Sequence, residues 1–372
     1  MPIYKMKGKK DGLQKYRVRI NYTDREGNSK QIDRVAYGNE EAKALERELN
    51  REIKNTSPVS NITISDLYHE YMAAKRHEVR ETTLKKSEKN LENHVLPTMG
   101  NVKLSKLSTP LLQKWKLEIE KKSLELKTKQ NIFGEFRAML NYAVKMEYLP
   151  INPLPKVGTF KDAYHIKKEI DFYTADEFKK YIMAAKKEAE EKGFYEWNFY
   201  VFFNIAFYTG LRKGEIHALK WSDIDGAVLR VRRSIAQKLK GQDRETPPKN
   251  KSSVRDLQMP LPLIHILDEH KKRYEGAEGF TEEWRICGGL SCLRDTTIDH
   301  RNRHYAKLAG LKTIRIHDFR HSHASLLANE GINIQEIARR LGHAKIEMTW
   351  NTYSHLYPRE EERAVNILNK IV

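Results

Sequence analysis

Residues 316–355 of this 372-residue chain gather reactive polar side chains into a stretch whose apolar residues recur at helical spacing. Gly331 and Gly342 stand where helices would end, because glycine accepts the left-handed backbone of a C-terminal cap. We therefore expect short, well-terminated helices that hold a functional site. The apolar residues are Phe319, Ala324, Leu326, Leu327, Ile334, Ile337, Ala338 and Leu341; the polar ones are His317, Arg320, His321, His323, His343, Tyr353 and His355.

The chain is strongly basic, with a formal net charge of +18 and a pI near 9.5. Lysine and arginine occur in every third of the sequence, so the excess is not a detachable tail. A surface this positive attracts polyanions, of which nucleic acid is the commonest and anionic membranes come second. The alternative, that the charge serves only solubility, stays open.

Length and composition predict a multidomain protein without membrane spans or a disulfide framework. At 372 residues, two or three domains are expected. Cys287 and Cys292 are too few for a disulfide framework or a cysteine-rich zinc module. No apolar run approaches the roughly 20 residues of a membrane span, and the N-terminus lacks a signal-peptide core. We therefore expect a cytoplasmic protein.

The first 56 residues predict a small three-stranded sheet followed by a helix. Tyr16–Tyr22 alternates apolar and polar residues, a second strand follows the turn at Gly27, and a third is expected near Ile3–Met6. The outward face would carry Arg17 and Arg19. Such a face can lie in a DNA groove, although a solvated strand face explains the pattern equally well.

After a linker at 55–61, residues 62–155 show the spacing of four helices, the first capped by Thr63 and the second ended by Pro97 and Gly100. From Thr174 onward helices dominate, with strand patterns at 227–235 and 253–259 on either side of a basic turn. The predicted fold is mainly α with small antiparallel sheets, in three domains: 1–56, 62–155 and 170–372.

Several of the polar residues suit phosphoryl transfer. Two arginines can bracket one phosphate, and such fixed donors stabilise a pentacoordinate phosphorus without a metal ion. Tyrosine is a poor nucleophile unless a base or a positive field assists it, and His317 and the arginines could supply both. A lysine or histidine can then protonate the departing sugar oxygen. The sequence has no G-x-x-x-x-G-K-[ST] loop and no H-E-x-x-H motif, so neither ATP nor metal is expected as a cofactor.

Three segments carry a resemblance to a known family: TGLRKGEIHALKWSDID, HDFRHSHASLLANEG and LGHAKIEMTWNTYSH. Over about residues 170–372 the chain resembles the tyrosine recombinases, or phage integrases. The resemblance implies that Tyr353 is the nucleophile. The family also has a catalytic lysine in the turn between two strands, and Lys249 matches it best. Lys251 is the competitor, because Asn250 departs from the common pattern of that turn. Glu215 matches a supporting acidic position. The implied catalytic set is Arg212, Lys249, His317, Arg320, His343 and Tyr353.

The resemblance implies site-specific cutting and rejoining of double-stranded DNA through a 3′-phosphotyrosine link, by an integrase of a mobile element. It also implies an arm-binding domain at 1–56, a core-binding domain at 62–155 and a homotetramer on DNA. Whether a small excision factor takes part stays open. The tail would form an amphipathic helix docking on a neighbouring protomer, or alternatively on its own domain, through Ala364, Val365, Ile367, Leu368 and Ile371.

Three other interpretations remain at this stage. A type IB topoisomerase uses a similar residue set, and a non-catalytic DNA-binding regulator would use the histidines only for packing. A metal hydrolase could employ His317 and His321, which have the i, i+4 spacing of ligands on one helix face. In the recombinase interpretation His321, His323 and His355 are structural or peripheral.

Overall fold

The computed structural model describes residues 3–23, 29–54, 62–162, 171–236, 244–246, 251–357, 365, 368 and 369. The chain divides into two compact units, Met1–Ile166 and Lys167–Val372. The described residues are mainly helical with small antiparallel sheets, as predicted. Two separate hydrophobic cores lie in the first unit, whereas the division into three domains stays a prediction. Among the described helices, none has the length and apolar character needed to cross a membrane.

An N-terminal antiparallel sheet packs against one helix and confirms the predicted strand alternation. The elements are β1 (Ile3–Lys10), β2 (Leu13–Thr23), β3 (Ser29–Tyr37) and α1 (Asn39–Lys54), and the buried residues are Val18, Ala36, Ala42 and Leu49. Arg17 and Arg19 both form ion pairs with Asp33 of β3, at 3.3 and 2.9 Å. One carboxylate therefore offsets part of the positive charge of this face.

The remainder of the first unit is helical around a core that contains Trp115 and Phe136, whose rings meet edge to face at 4.9 Å. Thr63 caps the first helix in a reciprocal capping box with Asp66, as predicted. Pro97 does not only end a helix: it lies in the first turn of the next one, where its missing N–H costs nothing. The helices are α2 (Ile64–Glu78), α3 (Glu81–His94), α4 (Leu96–Met99), α5 (Thr109–Glu120) and α6 (Leu126–Lys145).

The second unit consists of helices with two small antiparallel sheets, in the strand orders β4-β5-β8 and β6-β7. Its helices are α7 (Ala175–Lys192), α8 (Phe194–Thr209), α9 (Lys213–Ala218), α10 (Leu261–Glu275), α11 (Asp295–Leu308), α12 (Asp318–Asn329), α13 (Ile334–Leu341) and α14 (Ile346–Tyr353). Its strands are β4 (Ile224–Asp225), β5 (Val228–Val231), β6 (Ser234–Ala236), β7 (Arg244–Thr246) and β8 (Arg255–Gln258). Short 3₁₀ turns of the two units cover Leu104–Lys106, Leu154–Val157, Trp221–Asp223, Lys251–Ser253 and Ser354–Leu356.

The single strand predicted at 227–235 is in fact two strands. β5 pairs with β8 only as far as Val231, opposite Arg255, and β6 then pairs with β7 in a separate hairpin. Between the two, Arg232 donates to the carbonyl of Arg255 and Arg233 to the carboxylate of Asp223. These side-chain bonds lie where the chain leaves the first sheet, and periodicity alone does not reveal such a break.

Helix α8 is central to the second unit because it is buried on nearly every side. Phe203 of α8 meets Phe319 of α12, with ring centroids 5.3 Å apart. Gly210, at φ +64°, ends α8 in a left-handed cap. The aromatic packing thus holds the C-terminal end of α8 against the N-terminal half of α12, where the predicted site residues lie.

Candidate active site

Arg320 lies on α12 and is only 2% exposed. Its Nη1 donates to the carbonyl of Gly210 at 2.8 Å and its Nη2 to the carbonyl of Leu341 at 2.7 Å. Both carbonyls belong to helix C-termini, those of α8 and α13, which carry partial negative charge and favour a cation. Burial, followed by the charge of Arg212, lowers the pKa of Arg320 to about 9. The guanidinium therefore remains charged at neutral pH in a fixed orientation.

Gly210 and Gly342 permit this arrangement because no larger residue fits at either position. A Cβ on Gly210 would lie 2.8 Å from the ring of His323 and 2.9 Å from Leu341. A Cβ on Gly342 would lie 2.9 Å from the guanidinium of Arg255. Gly342 also has the left-handed backbone (φ +66°) of the predicted helix stop.

Glu215 of α9 holds two arginines at once. Arg212 donates to its carboxylate from Nη1 at 2.9 Å and from its own backbone N–H at 3.0 Å. Arg255 of β8 donates from Nη2 at 2.9 Å, and its Nε bonds to the carbonyl of Arg340. Burial favours a higher pKa for Glu215, but Arg255 and Arg212 outweigh it and the net pKa is lowered. The carboxylate is therefore ionised, and it positions Arg212, whose Nη2 also reaches the carbonyl of Gly342 at 3.3 Å.

Sequence reasoning missed Arg255. In the alternation of β8 it shares the buried face with Leu257. An arginine on the apolar face of a strand is uncommon unless it is paired, and this was the available signal. Its partner Glu215 lies 40 residues earlier, so the pairing itself was invisible in the sequence.

His317 and His343 lie near the two arginines and are both neutral at pH 7. Burial, then the neighbouring His321 and Arg320, lower the pKa of His317 to about 4. Burial, then Arg320 and Arg212, lower that of His343 to about 4 as well. Nδ1 of His343 bonds to the hydroxyl of Thr349 at 2.8 Å, which fixes its ring.

Tyr353 ends α14 and is 2% exposed, packed among residues of α12 and α13. Its hydroxyl lies 2.5 Å from Nδ1 of His321. Burial raises the pKa of the phenol well above its usual value. Arg320 lowers this pKa and Asp318 raises it, both by less than burial does. The phenol is therefore fully protonated at neutral pH.

The structure brings together Arg212, His317, Arg320, His343 and Tyr353. Lys249 lies outside the described residues. Lys251 begins the 3₁₀ turn that leads to β8, and its side chain also lies outside them. The choice between the two lysines therefore stays a prediction. In the described part of the chain, no three His, Cys, Asp or Glu side chains are grouped as metal ligands would be.

The three histidines expected to be peripheral differ from one another. His355 is exposed on the turn after Tyr353. His323 is buried against Gly210, and burial lowers its pKa to about 3, in keeping with a structural role. His321 is not remote from the site, since its ring contacts the hydroxyl of Tyr353, and whether its role is structural stays a prediction. The signal was its position four residues after His317, on the same helix face.

Comparison with known proteins gives matches over most of the chain. The phage integrase family model matches residues 172–360, and the phage integrase N-terminal SAM-like domain matches residues 63–118. A tyrosine recombinase XerC-like protein of Caldanaerobacter subterraneus is 30% identical, with 97% of each chain covered. The ICEBs1 integrase of Bacillus subtilis is 28% identical, with 91% of this chain and 92% of that protein covered.

Solved structures show the same fold. The Tn1549 transposon integrase in complex with a circular intermediate DNA superposes with a TM-score of 0.64 at 20% identity, covering 84% of this chain and 100% of that one. The lambda integrase tetramer bound to a Holliday junction gives a TM-score of 0.58 at 16% identity, covering 97% of each chain.

The family match over residues 172–360 defines an enzyme of DNA strand breakage and rejoining. The chain belongs to the phage integrase family and is a tyrosine recombinase. The comparisons give no support to the topoisomerase or regulator interpretations.

Substituting Glu215→Gln should destabilise the second unit by about 3–5 kcal/mol, because Arg255 would remain buried without its counter-charge. Native-state hydrogen exchange of peptides from α9 and β8 measures this loss. Glu336→Gln is the matched control, since Glu336 pairs with Arg339 on the surface and an exposed pair contributes about 0–1 kcal/mol.

The pH dependence follows from the lowered pKa of Glu215. Its stabilising contribution is present above the usual pKa of a glutamate and is lost as pH falls through the lower folded-state value. Glu215→Gln should lack that acid-side component. Equal losses in the two variants, or an unchanged pH profile, would show that the carboxylate does not hold the arginines.

Proposed function

We propose that Arg212, Lys249, His317, Arg320, His343 and Tyr353 form the active site of a site-specific integrase of a mobile genetic element. The observation that carries this is the charged guanidinium of Arg320, fixed by two helix C-termini in the same site as Tyr353, Arg212 and two neutral histidines. Arg212 and Arg320 bracket the non-bridging oxygens of one phosphate and stabilise the charge that develops there. His317 and His343 donate further hydrogen bonds to it.

In this mechanism the hydroxyl of Tyr353 gives its proton to a base in the site as its oxygen attacks the phosphorus, and the bond to the 5′ oxygen breaks. Lys249 protonates the departing 5′ oxygen. The products are a 3′-phosphotyrosine link and a free 5′-hydroxyl. A 5′-hydroxyl from the partner duplex then attacks the link and releases the tyrosine. The number of phosphodiester bonds is unchanged, so the reaction requires neither ATP nor a metal ion.

Tyr353→Phe should abolish covalent adduct formation, because it removes the attacking oxygen. The measurement is incubation with a suicide substrate built from DNA of the element's ends, followed by a denaturing gel. Tyr357→Phe is the matched control, since the hydroxyl of Tyr357 bonds only to the carbonyl of Ile332 among its described contacts. Adduct from Tyr353→Phe at the wild-type level would refute the assignment.

The catalytic lysine is identified by how the cleavage rate of each lysine variant depends on the leaving group of the substrate. Lys249→Ala should slow cleavage by about 100-fold or more if it protonates the 5′ oxygen, and Lys251→Ala should not. A substrate with sulfur at the 5′ bridging position needs little protonation to depart and should restore Lys249→Ala. The opposite pattern would assign the role to Lys251.

We further propose that the enzyme acts as a tetramer on two DNA duplexes in the bacterial cytoplasm. Residues 1–56 would bind arm sites and residues 62–155 core sites. The lambda integrase structure is a tetramer on a Holliday junction, which supports the assembly. In the arm region the exposed strands support DNA contact, although Asp33 reduces their charge.

The tail helix is proposed to dock on a neighbouring protomer. Most of 358–372 lies outside the described residues, including Ala364, Ile367 and Ile371. Of the others, Val365 and Leu368 are 49% and 62% exposed, and the amide of Asn369 bonds to the carbonyl of Val365 at helical spacing. Exposed apolar residues on a helix suit a partner surface.

Deleting residues 366–372 should weaken tetramer assembly on DNA while leaving monomer binding to a single core site intact. Native gels with one-site and two-site DNA separate these effects. A double substitution at exposed positions elsewhere, Leu308→Ser with Met183→Ser, serves as the control. Unchanged assembly after the deletion would mean that the tail packs on its own domain.

A further inference from the structure

The hydroxyl of Tyr353 contacts a histidine that is not among the six residues assigned above. Nδ1 of His321 lies 2.5 Å from that oxygen, and the two ring centroids are 5.7 Å apart. The residues belong to different helices, α12 and α14, so tertiary packing creates the contact. Tyr353 is held in place by Ala324, Ala328, Ile337 and Leu341 around it.

We propose that His321 is the general base for Tyr353 in DNA cleavage. The proposal rests on the proposed function, because it requires Tyr353 to attack a phosphodiester. The phenol proton passes to Nδ1 of His321 as the Oη–P bond forms and the P–O5′ bond breaks, while the 5′ oxygen takes its proton from the lysine. In rejoining, the incoming 5′-hydroxyl gives its proton to that lysine. The P–Oη bond breaks, and His321 returns the proton to Tyr353.

His317 is placed for a different task. Its ring meets that of His321 edge to face, at 5.3 Å between centroids, and it interacts electrostatically with Arg212 and Arg320. It therefore belongs to the phosphate side of the site. The histidine that hydrogen-bonds to the nucleophile Tyr353 is His321.

The electrostatic surroundings keep His321 able to accept a proton. Burial is the largest cause that lowers the pKa of His321. Asp318 raises this pKa, whereas Arg320 and Arg315 lower it further. Asp318 and Arg320 face His321 from α12, and Arg315 and His317 face it from the residues just before that helix. Tyr353 faces it from α14. Since the pKa of the phenol is raised and that of His321 lowered, free proton transfer is unfavourable. It becomes favourable as Oη bonds to phosphorus, so transfer and attack occur together.

His321→Asn tests the proposal, because asparagine offers a hydrogen-bond partner at the Nδ1 position but takes no proton. With saturating suicide substrate, single-turnover cleavage near pH 7 should slow by about 100- to 1,000-fold, with DNA affinity unchanged. The deficit should shrink as pH rises and hydroxide takes over the proton. His355→Asn, on the exposed turn just after Tyr353, should cleave like wild type.

The substrate with sulfur at the 5′ bridging position distinguishes a defect in activating the nucleophile from a defect in protonating the leaving group. His321→Asn should remain slow on it, because the defect lies at the nucleophile, while the lysine variant recovers. Recovery of His321→Asn cleavage on the sulfur substrate would overturn the proposal. So would cleavage of the ordinary substrate by His321→Asn at the wild-type rate, or a loss of rate that does not depend on pH. Absence of adduct from the wild type would instead refute the proposed function.

A measurement on the folded wild type covers the case in which His321→Asn fails to fold. In ¹⁵N-histidine NMR spectra, Nδ1 of His321 should be unprotonated and hydrogen-bonded, with the proton on Nε2. Its resonance should shift in Tyr353→Phe, which removes the donor. A proton on Nδ1 in the wild type would make His321 a donor to the tyrosine and overturn the proposal.

Discussion

The buried guanidinium of Arg320 organises the catalytic unit. A charge that is 2% exposed is costly unless it is fully hydrogen-bonded, and Arg320 bonds to two backbone carbonyls 110 and 21 residues away. These bonds require α8 and α13 to end against α12, each with its C-terminus directed inward. The glycine caps at Gly210 and Gly342 allow the close approach. The fold thus fixes the arginine, and the arginine in turn fixes how three helices meet.

Around it, one buried carboxylate serves two arginines. Glu215 bonds to Arg212 and Arg255, so it orients the more exposed arginine and neutralises the more buried one. Arg212 and Arg320 both act on the neighbouring histidines. Burial first, then His321 in the case of His317, and then the neighbouring positive charges lower the pKa values of His317 and His343 and keep both rings neutral. Neutral imidazoles and charged guanidiniums together form a set of fixed donors, which is what a developing phosphorane requires.

Much of this was predictable from local pattern. Apolar periodicity located the helices, and Thr63 and Gly342 marked a start and a stop that the structure confirms. The failures also have physical causes. Pro97 suited the first turn of a new helix as well as the end of the old one. The strand at 227–235 broke where Arg232 and Arg233 found partners on other segments.

The sequence by itself determined the element types, the basic charge and the residues that carry the family resemblance, because these depend on spacing along the chain. Only the tertiary structure decided which side chains meet. Arg255 proved to be the partner of Glu215, and His321 the partner of Tyr353, through contacts spanning 40 and 32 residues. Such contacts depend on how helices cross and where caps direct the backbone, and no local pattern encodes that geometry.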